Sequence, residues 1–251
     1  MYKTNLYYNK NIEIIDTKGP FSIAQYKKDL SVTKNEAFYE YFAQKMNVHR
    51  RQLICELSEG DVTIQAGAMQ FFVGDVKTTT GIKSTSDFFS KALGAKVSGE
   101  TTIKPEYEGD GTLVLEPTYK HILLINPSDY KDGIVLQDGL FLACESKLKQ
   151  HIVSRKSLSA AALGNEGFFN LCIEGDGIVA LESPIPYDEL ITINIENDEV
   201  KIDGSYAIAW SKSLSFTVEK SSKSLLGSAA SGEGLVNVYR GSGKILMAPL
   251  D

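Results

Sequence analysis

The sequence predicts an all-β chain with a few short helices, one domain over 1–251, built from three internal repeats. Three observations carry this. The stretch Gly-Glu-Gly-Leu-Val-Asn-Val-Tyr-Arg-Gly-Ser-Gly-Lys-Ile-Leu-Met-Ala-Pro at 232–249 has a recognisable copy at 165–184 and a more worn one at 99–117. The glycines Gly109, Gly175 and Gly241 within these copies stand 66 residues apart each time, and even spacing of a motif marks internal repetition. A second set of anchors, Gly67, Gly139 and Gly204, follows an apolar alternation in each repeat. The repeats are read as about 6–125, with a helical insertion at 33–47, then 126–190 and 191–251.

In chain order, Ile12 and Ile14 flank Glu13, and Phe21 and Ile23 flank Ser22, around a turn at Lys18-Gly19-Pro20. Ile15 breaks the alternation of the first of these strands. At 33–47 the period changes: Ala37, Tyr41, Phe42 and Met46 lie at helical spacing, with Thr33 as N-cap and Glu36 as its capping-box partner. Strand pattern then returns in Leu53–Leu57 and Val62–Gln65, separated by a Ser-Glu-Gly-Asp turn. Gly67, Gly139 and Gly204 are expected at corners or bulges with positive φ or close backbone approach. The connections 85–95, 155–163 and 221–230 have helical tendency and run toward Gly94, Gly164 and Gly227. The pairs Gly109/Gly111, Gly175/Gly177 and Gly241/Gly243 are expected to form tight hairpin turns, with both glycines supplying positive φ. Prolines 117, 184 and 249 end the strands that follow.

Composition narrows the function classes. With 43% hydrophobic and 23% charged residues the chain has the makings of a core throughout, unlike a disordered one. A net charge of −6 repels polyphosphates and anionic membranes, so nucleic acid is an unfavoured partner. Cys55, Cys144 and Cys172 are scattered singly in apolar runs, which reads as buried thiols in a reducing cytoplasm. No window reaches the roughly 20 apolar residues of a membrane helix, and the start of the chain has no signal-peptide character.

Several short runs in this order resemble a known family. These are Glu59-Gly60-Asp61 with Gln65-Ala66-Gly67-Ala68-Met69, then Asp138-Gly139, then Glu166-Gly167-Phe168-Phe169, and finally 231–237 with the Gly-x-Gly behind it and Ala248-Pro249. Together they resemble the altered-inheritance-of-mitochondria protein 24 family over about 52–249, with Gln65-Ala66 where that family commonly has Glu-Pro and with the insertion 33–47 as a departure. The resemblance implies three units like the trp RNA-binding attenuation protein (TRAP) subunit about a pseudo-threefold axis, of β-sandwich or double-stranded β-helix type. It implies little chemistry.

Candidate sites are few. Glu100, Glu166 and Glu233 recur beside the glycine motif, and a threefold arrangement would bring three carboxylates to its axis, where a cation would be favoured. The plainer account, that each takes hydrogen bonds from its own turn or faces water, suits how seldom acidic groups are buried. Lys147, Lys149, His151, Arg155 and Lys156 form one dense basic run alternating with apolar residues, suited to phosphate or RNA, or to guarding an exposed strand edge. Trp210 is a core residue or a partner anchor. No nucleophile elbow or phosphate loop is complete: Val238 and Ile245 stand where a phosphate loop needs glycine and Ser or Thr. The sequence therefore points to a cytoplasmic, non-enzymatic scaffold or interaction protein without cofactor, able to self-associate through free strand edges. The alternative is a module binding RNA or a small molecule between repeats.

Overall fold

A computed structural model describes residues 2–80, 104–154, 156–157, 169–220 and 235–249. It is mostly β with a single α-helix among the described residues. A hairpin of β1 (Ile12–Lys18) and β2 (Phe21–Tyr26) precedes α1 (Ala37–Lys45). A first run follows: β3 (Arg51–Glu56), β4 (Val62–Ile64), β5 (Met69–Thr79) and β6 (Glu106–Leu115). The second run holds β7 (His121–Ile125), β8 (Ile134–Leu136), β9 (Phe141–Glu145), β10 (Lys149–Ser154), β11 (Lys156–Ser157), β12 (Phe169–Glu174) and β13 (Val179–Ser183). The third holds β14 (Ile191–Asp203), β15 (Ala207–Ser211), β16 (Ser215–Lys220) and β17 (Leu235–Met247). One sheet runs β1-β2-β3-β6-β4-β9-β13-β7 with β5 beside β6, and bends into a nearly closed, barrel-like form. The other runs β10-β12-β8-β15-β17-β16-β11 with β14 beside β17.

Each run pairs its strands in the same way. β6 lies between β5 on one side and β3 and β4 on the other. β13 and β12 lie between β9 and β10 on one side and β7 and β8 on the other. β17 lies between β15 and β16 on one side and β14 on the other. An extra residue bulges out at the start of the second strand each time: the register shifts between Met69 and Phe71, opposite Ala180 and Leu181, and between Ala207 and Ala209. A bulge bends its strand and increases local twist, so its recurrence sets the same curvature three times.

The Gly-x-Gly stretches are not hairpin turns, which corrects the sequence expectation. Gly109–Gly111 lies inside β6 and Gly241–Gly243 inside β17, and the third stretch links β12 of one sheet to β13 of the other. They are places where a strand bends and continues. The first glycine of each has positive φ, +119°, +113° and +121° at Gly109, Gly175 and Gly241, whereas Gly111, Gly177 and Gly243 do not. Space explains the second glycine: a Cβ at Gly111 would stand 2.4 Å from the Val73 carbonyl oxygen, and one at Gly243 2.7 Å from Ser211 Cβ. Gly67, Gly139 and Gly204 have positive φ as expected (+84°, +80° and +52°), and backbone conformation accounts for them, since nothing crowds Gly67 or Gly139.

Ile15, which interrupts the first alternation, falls where the β1–β2 register shifts between Ile14 and Asp16. At α1 the Glu36 carboxylate accepts from the Thr33 N–H (3.0 Å) and hydroxyl (2.6 Å). The helix nevertheless begins at Ala37 with Glu36 at its N-cap, so Thr33 is not the N-cap the sequence suggests, and its hydroxyl donates to Glu36 instead of accepting from a helix N–H. The helix buries no residue. Of the three connections expected to be helical, Lys156 and Ser157 are instead strand, paired parallel with Thr217 and Val218. The remainder of those connections lies outside the described residues.

Apolar side chains on alternate strand positions fill the space between the bent sheets. Leu53, Val62, Ile64, Leu113 and Leu115 form one cluster with Ala143 and Ala180 of the following run. Ile134, Leu136, Leu171 and Ile173 form the next, with Ala209 and Leu246 of the run after that. Trp210, Tyr239, Ile245 and Ile202 make a third. Trp210 is core, as the burial preference of tryptophan suggests, and it stacks on Phe216 at 5.5 Å between ring centroids.

Candidate functional site

The expected axial carboxylates Glu100, Glu166 and Glu233 lie outside the described residues, as does Arg155 of the basic run. The rest of that run is dispersed. Lys147 sits in the turn after β9 with Nζ 2.8 Å from Glu145 Oε2, and Glu145 Oε1 accepts from the Ile178 N–H at 2.7 Å. Lys149 and His151 lie on β10, which among the described residues ends its sheet. Lys156 belongs to β11 beside β16. No one face carries the whole run.

His151 belongs to a cluster that the sequence alone does not display. It pairs across strands with Cys172, and Glu174 lies two residues on, on the same face of β12. One ligand atom from each of His151, Cys172 and Glu174 lies within 4.8 Å of the others. Sulfur, imidazole and carboxylate together form a donor set that suits zinc. One member of the cluster is already paired with a protein cation: the Lys212 ammonium donates to Glu174 Oε1, to which His151 Nε2 also comes within 3.4 Å. This hydrogen bond holds the Glu174 carboxyl below its ordinary range, while burial pushes the Cys172 thiol up to about 12. The local charge is thereby balanced by protein groups. A register between β10 and β12 is needed to see the cluster, and residues so distant in sequence give no local signal of it.

Two strand edges form the other candidate. β5 pairs with β6 and β14 pairs with β17, and among the described residues neither has a second strand beside it. Met69, Phe71 and Phe72 at the start of β5 are 37%, 38% and 42% exposed, so the open edge carries large apolar side chains. Exposed edges with apolar residues invite strand pairing from outside. The aromatic face of α1, Phe38, Tyr39, Tyr41 and Phe42, is also exposed, its rings packed on one another.

Between the first two runs lies a groove of about 350 Å³, lined by Gln65, Gly67, Glu116, Gly139, Phe141 and Glu182 among others. Gln65 Oε1 is buried there without a hydrogen-bond partner. Among the described residues no helix is long and apolar enough to cross a membrane.

Known proteins resemble this chain along most of its length. An uncharacterized protein of Streptococcus pyogenes serotype M6 is 27% identical over 202 residues, 76% of this chain and 78% of that protein. The X-ray crystal structure of a protein from Streptococcus pyogenes matches the fold with a TM-score of 0.58 at 24% identity, over 82% of this chain and 90% of that one. The family model described as Mitochondrial biogenesis AIM24 matches residues 44–250, so it takes in all three runs of strands and leaves out the β1–β2 hairpin. From the strand β3 to the proline after β17, this chain belongs to the AIM24 family.

Proposed function

We propose that this protein is a non-enzymatic scaffold of the cytoplasm, built from three TRAP-like repeats about a pseudo-threefold axis that stays open where the third run would meet the first, and that it works by strand pairing at these open edges. The observation that carries the reading is the exposed apolar edge of β5, with Phe71 and Phe72, together with the open edge of β14. The identical order of pairing and the thrice-repeated bulge support descent of the three runs from one unit. Free, buried Cys55, Cys144 and Cys172 support a reducing compartment. The carboxylates that face Lys147, His151 and Lys212 support a reading without nucleic acid.

The test compares proteins captured by the unaltered chain with those captured by chains carrying Phe71→Lys or Val200→Lys. Partners are expected to drop out with either edge change. An identical set of partners from all three chains removes the reading.

A second reading, small-molecule binding in the groove between the first two runs, is favoured by the unpartnered Gln65 Oε1. A ligand of this groove would raise the melting temperature of the unaltered chain and not of Gln65→Leu.

A further inference from the structure

The three runs are joined to one another by strand pairs, and the register of those joints points to a third joint that the single chain leaves open. Between the first and second runs, β4 pairs with β9 as Val62↔Glu145, Thr63↔Cys144 and Ile64↔Ala143. Between the second and third, β8 pairs with β15 as Ile134↔Ser211, Val135↔Trp210 and Leu136↔Ala209.

Position for position these are the same joint. Val62 and Ile134 sit opposite Tyr107 and Ile173, and each of those residues precedes the bend glycine by two. On the other strand Ala143 and Ala209 sit opposite Ala180 and Leu246, at the bulge.

The corresponding places in the remaining strands are fixed by the same rule. Val200 of β14 sits opposite Tyr239, two residues before Gly241. Phe71 of β5 sits opposite Val114, at its own bulge. The third joint therefore reads Val200↔Val73, Lys201↔Phe72 and Ile202↔Phe71, antiparallel like the other two.

We propose that a second copy of this chain completes the joint, its β14 pairing with β5 of the first in that register; the inference rests on the edge-pairing function proposed above and names the partner. One chain carries both complementary halves, yet among the described residues they do not pair with each other, and the β1–β2 hairpin covers β3, leaving β5 as the open edge of the first run among those residues. The side chains differ in the way an outer contact requires. The position filled by fully buried Ala143 and Ala209 in the internal joints is held by Phe71, 38% exposed, and aromatic residues are enriched where proteins meet. The contact joins two different surfaces, so it is heterologous, closing as a ring or continuing as a chain of copies.

Two populations of full-length protein test this, one carrying Phe72→Cys and the other Lys201→Cys, mixed under a mild oxidant. A disulfide-linked heterodimer on a non-reducing gel is the expected product, at least fivefold more abundant than with Glu199→Cys in place of Lys201→Cys. No such product, or equal yields from the two pairings, overturns the register. A chain carrying both Phe72→Cys and Lys201→Cys that closes within itself, as a monomer with no linked dimer, overturns the second copy as the occupant. Light scattering gives an independent arm: the mass of the unaltered chain is expected to rise with concentration and that of Phe72→Lys, which sets lysine against Lys201, to stay monomeric. Adding Lys201→Glu to Phe72→Lys is expected to restore association, and failure to restore it counts against the pairing. If copies do not associate while Phe71→Lys still loses other captured proteins, the scaffold reading stands and this inference alone falls.

Discussion

Gly74 of β5 and Gly111 of β6 face each other across the strand pair, and a Cβ on Gly74 would stand 2.6 Å from Gly111 Cα. Two strands can bend together at this point only because neither carries a side chain. Alanine at Gly111 should destabilise the protein by about 1–3 kcal/mol through overpacking. Alanine at Gly67, which has open space and only a positive φ to contend with, should cost about 1–2 kcal/mol. Denaturant midpoints for the two variants decide whether space or conformation governs each glycine.

Trp210 is stacked on Phe216 and edge-on to Tyr239 at 5.4 Å, with 4% of its surface exposed. Trp210→Ala should cost about 3–5 kcal/mol, as expected for a large side chain removed from a packed core. Trp210 is the chain's single tryptophan, so its fluorescence should be blue-shifted in the folded state and move to the red in one step with urea. Early exposure, ahead of the loss of β structure by circular dichroism, would contradict its place in the core.

All three cysteines are buried and free, and burial raises the thiol pKa of Cys144 and of Cys172 to about 12, with Cys55 raised as well. In the unfolded chain a thiol titrates near ~8.5, so above that pH the unfolded state loses protons that the folded state keeps. Stability from this source is complete below about pH 8.5 and falls as the pH rises toward 12. Urea midpoints at pH 7.5 and pH 10 should show the loss, and Cys144→Ala should lessen the slope. A slope that does not change with the alanine would assign the loss to other groups.

The carboxylate of Glu219 accepts two hydrogen bonds from Arg240, at 2.6 and 2.9 Å, which holds its pKa at about 2. Replacing Arg240 with methionine should move the Glu219 titration up toward the ordinary carboxylate range by NMR, and short of it because the Thr217 hydroxyl still donates to the same carboxylate at 2.7 Å. Since the folded pKa is depressed, the pair stabilises above about pH 4.3 and the contribution fades as pH falls toward 2. An unaltered titration would show the pair to be an incidental contact.

Phe42 on α1 is 51% exposed and the helix buries nothing, so Phe42→Glu should change stability by less than about 0.5 kcal/mol. A loss of several kcal/mol would place the helix against the body of the protein.

Much of this was legible in the sequence, for reasons tied to particular residues. Ile12, Glu13 and Ile14 alternate because one face of β1 is covered, and Ile15 breaks the pattern where the register shifts. The spacing of Gly109, Gly175 and Gly241 survives because each bend needs the same positive φ. That shared requirement also explains the misreading of the motif, since a tight turn and a strand bend both call for glycine with φ above zero. The face of α1 reads as amphipathic from Tyr41, Phe42 and Met46, yet periodicity does not say whether anything lies opposite. The meeting of His151, Cys172 and Glu174 depends on which strands are neighbours, and that is decided by the whole sheet.

The placement of β6 and β17 has a consequence for how quickly the chain reaches its native state. Each is the last strand of its run to be reached along the chain and yet lies between the others, so Ile54 must wait for Val114, and Thr192 for Leu246, before either finds its neighbour. Ring closures of this length are slow, and chains dominated by them fold in milliseconds to seconds. During that interval β14 has no neighbour and β3 has only β2, and their bare sides leave the chain open to pairing with other nascent chains.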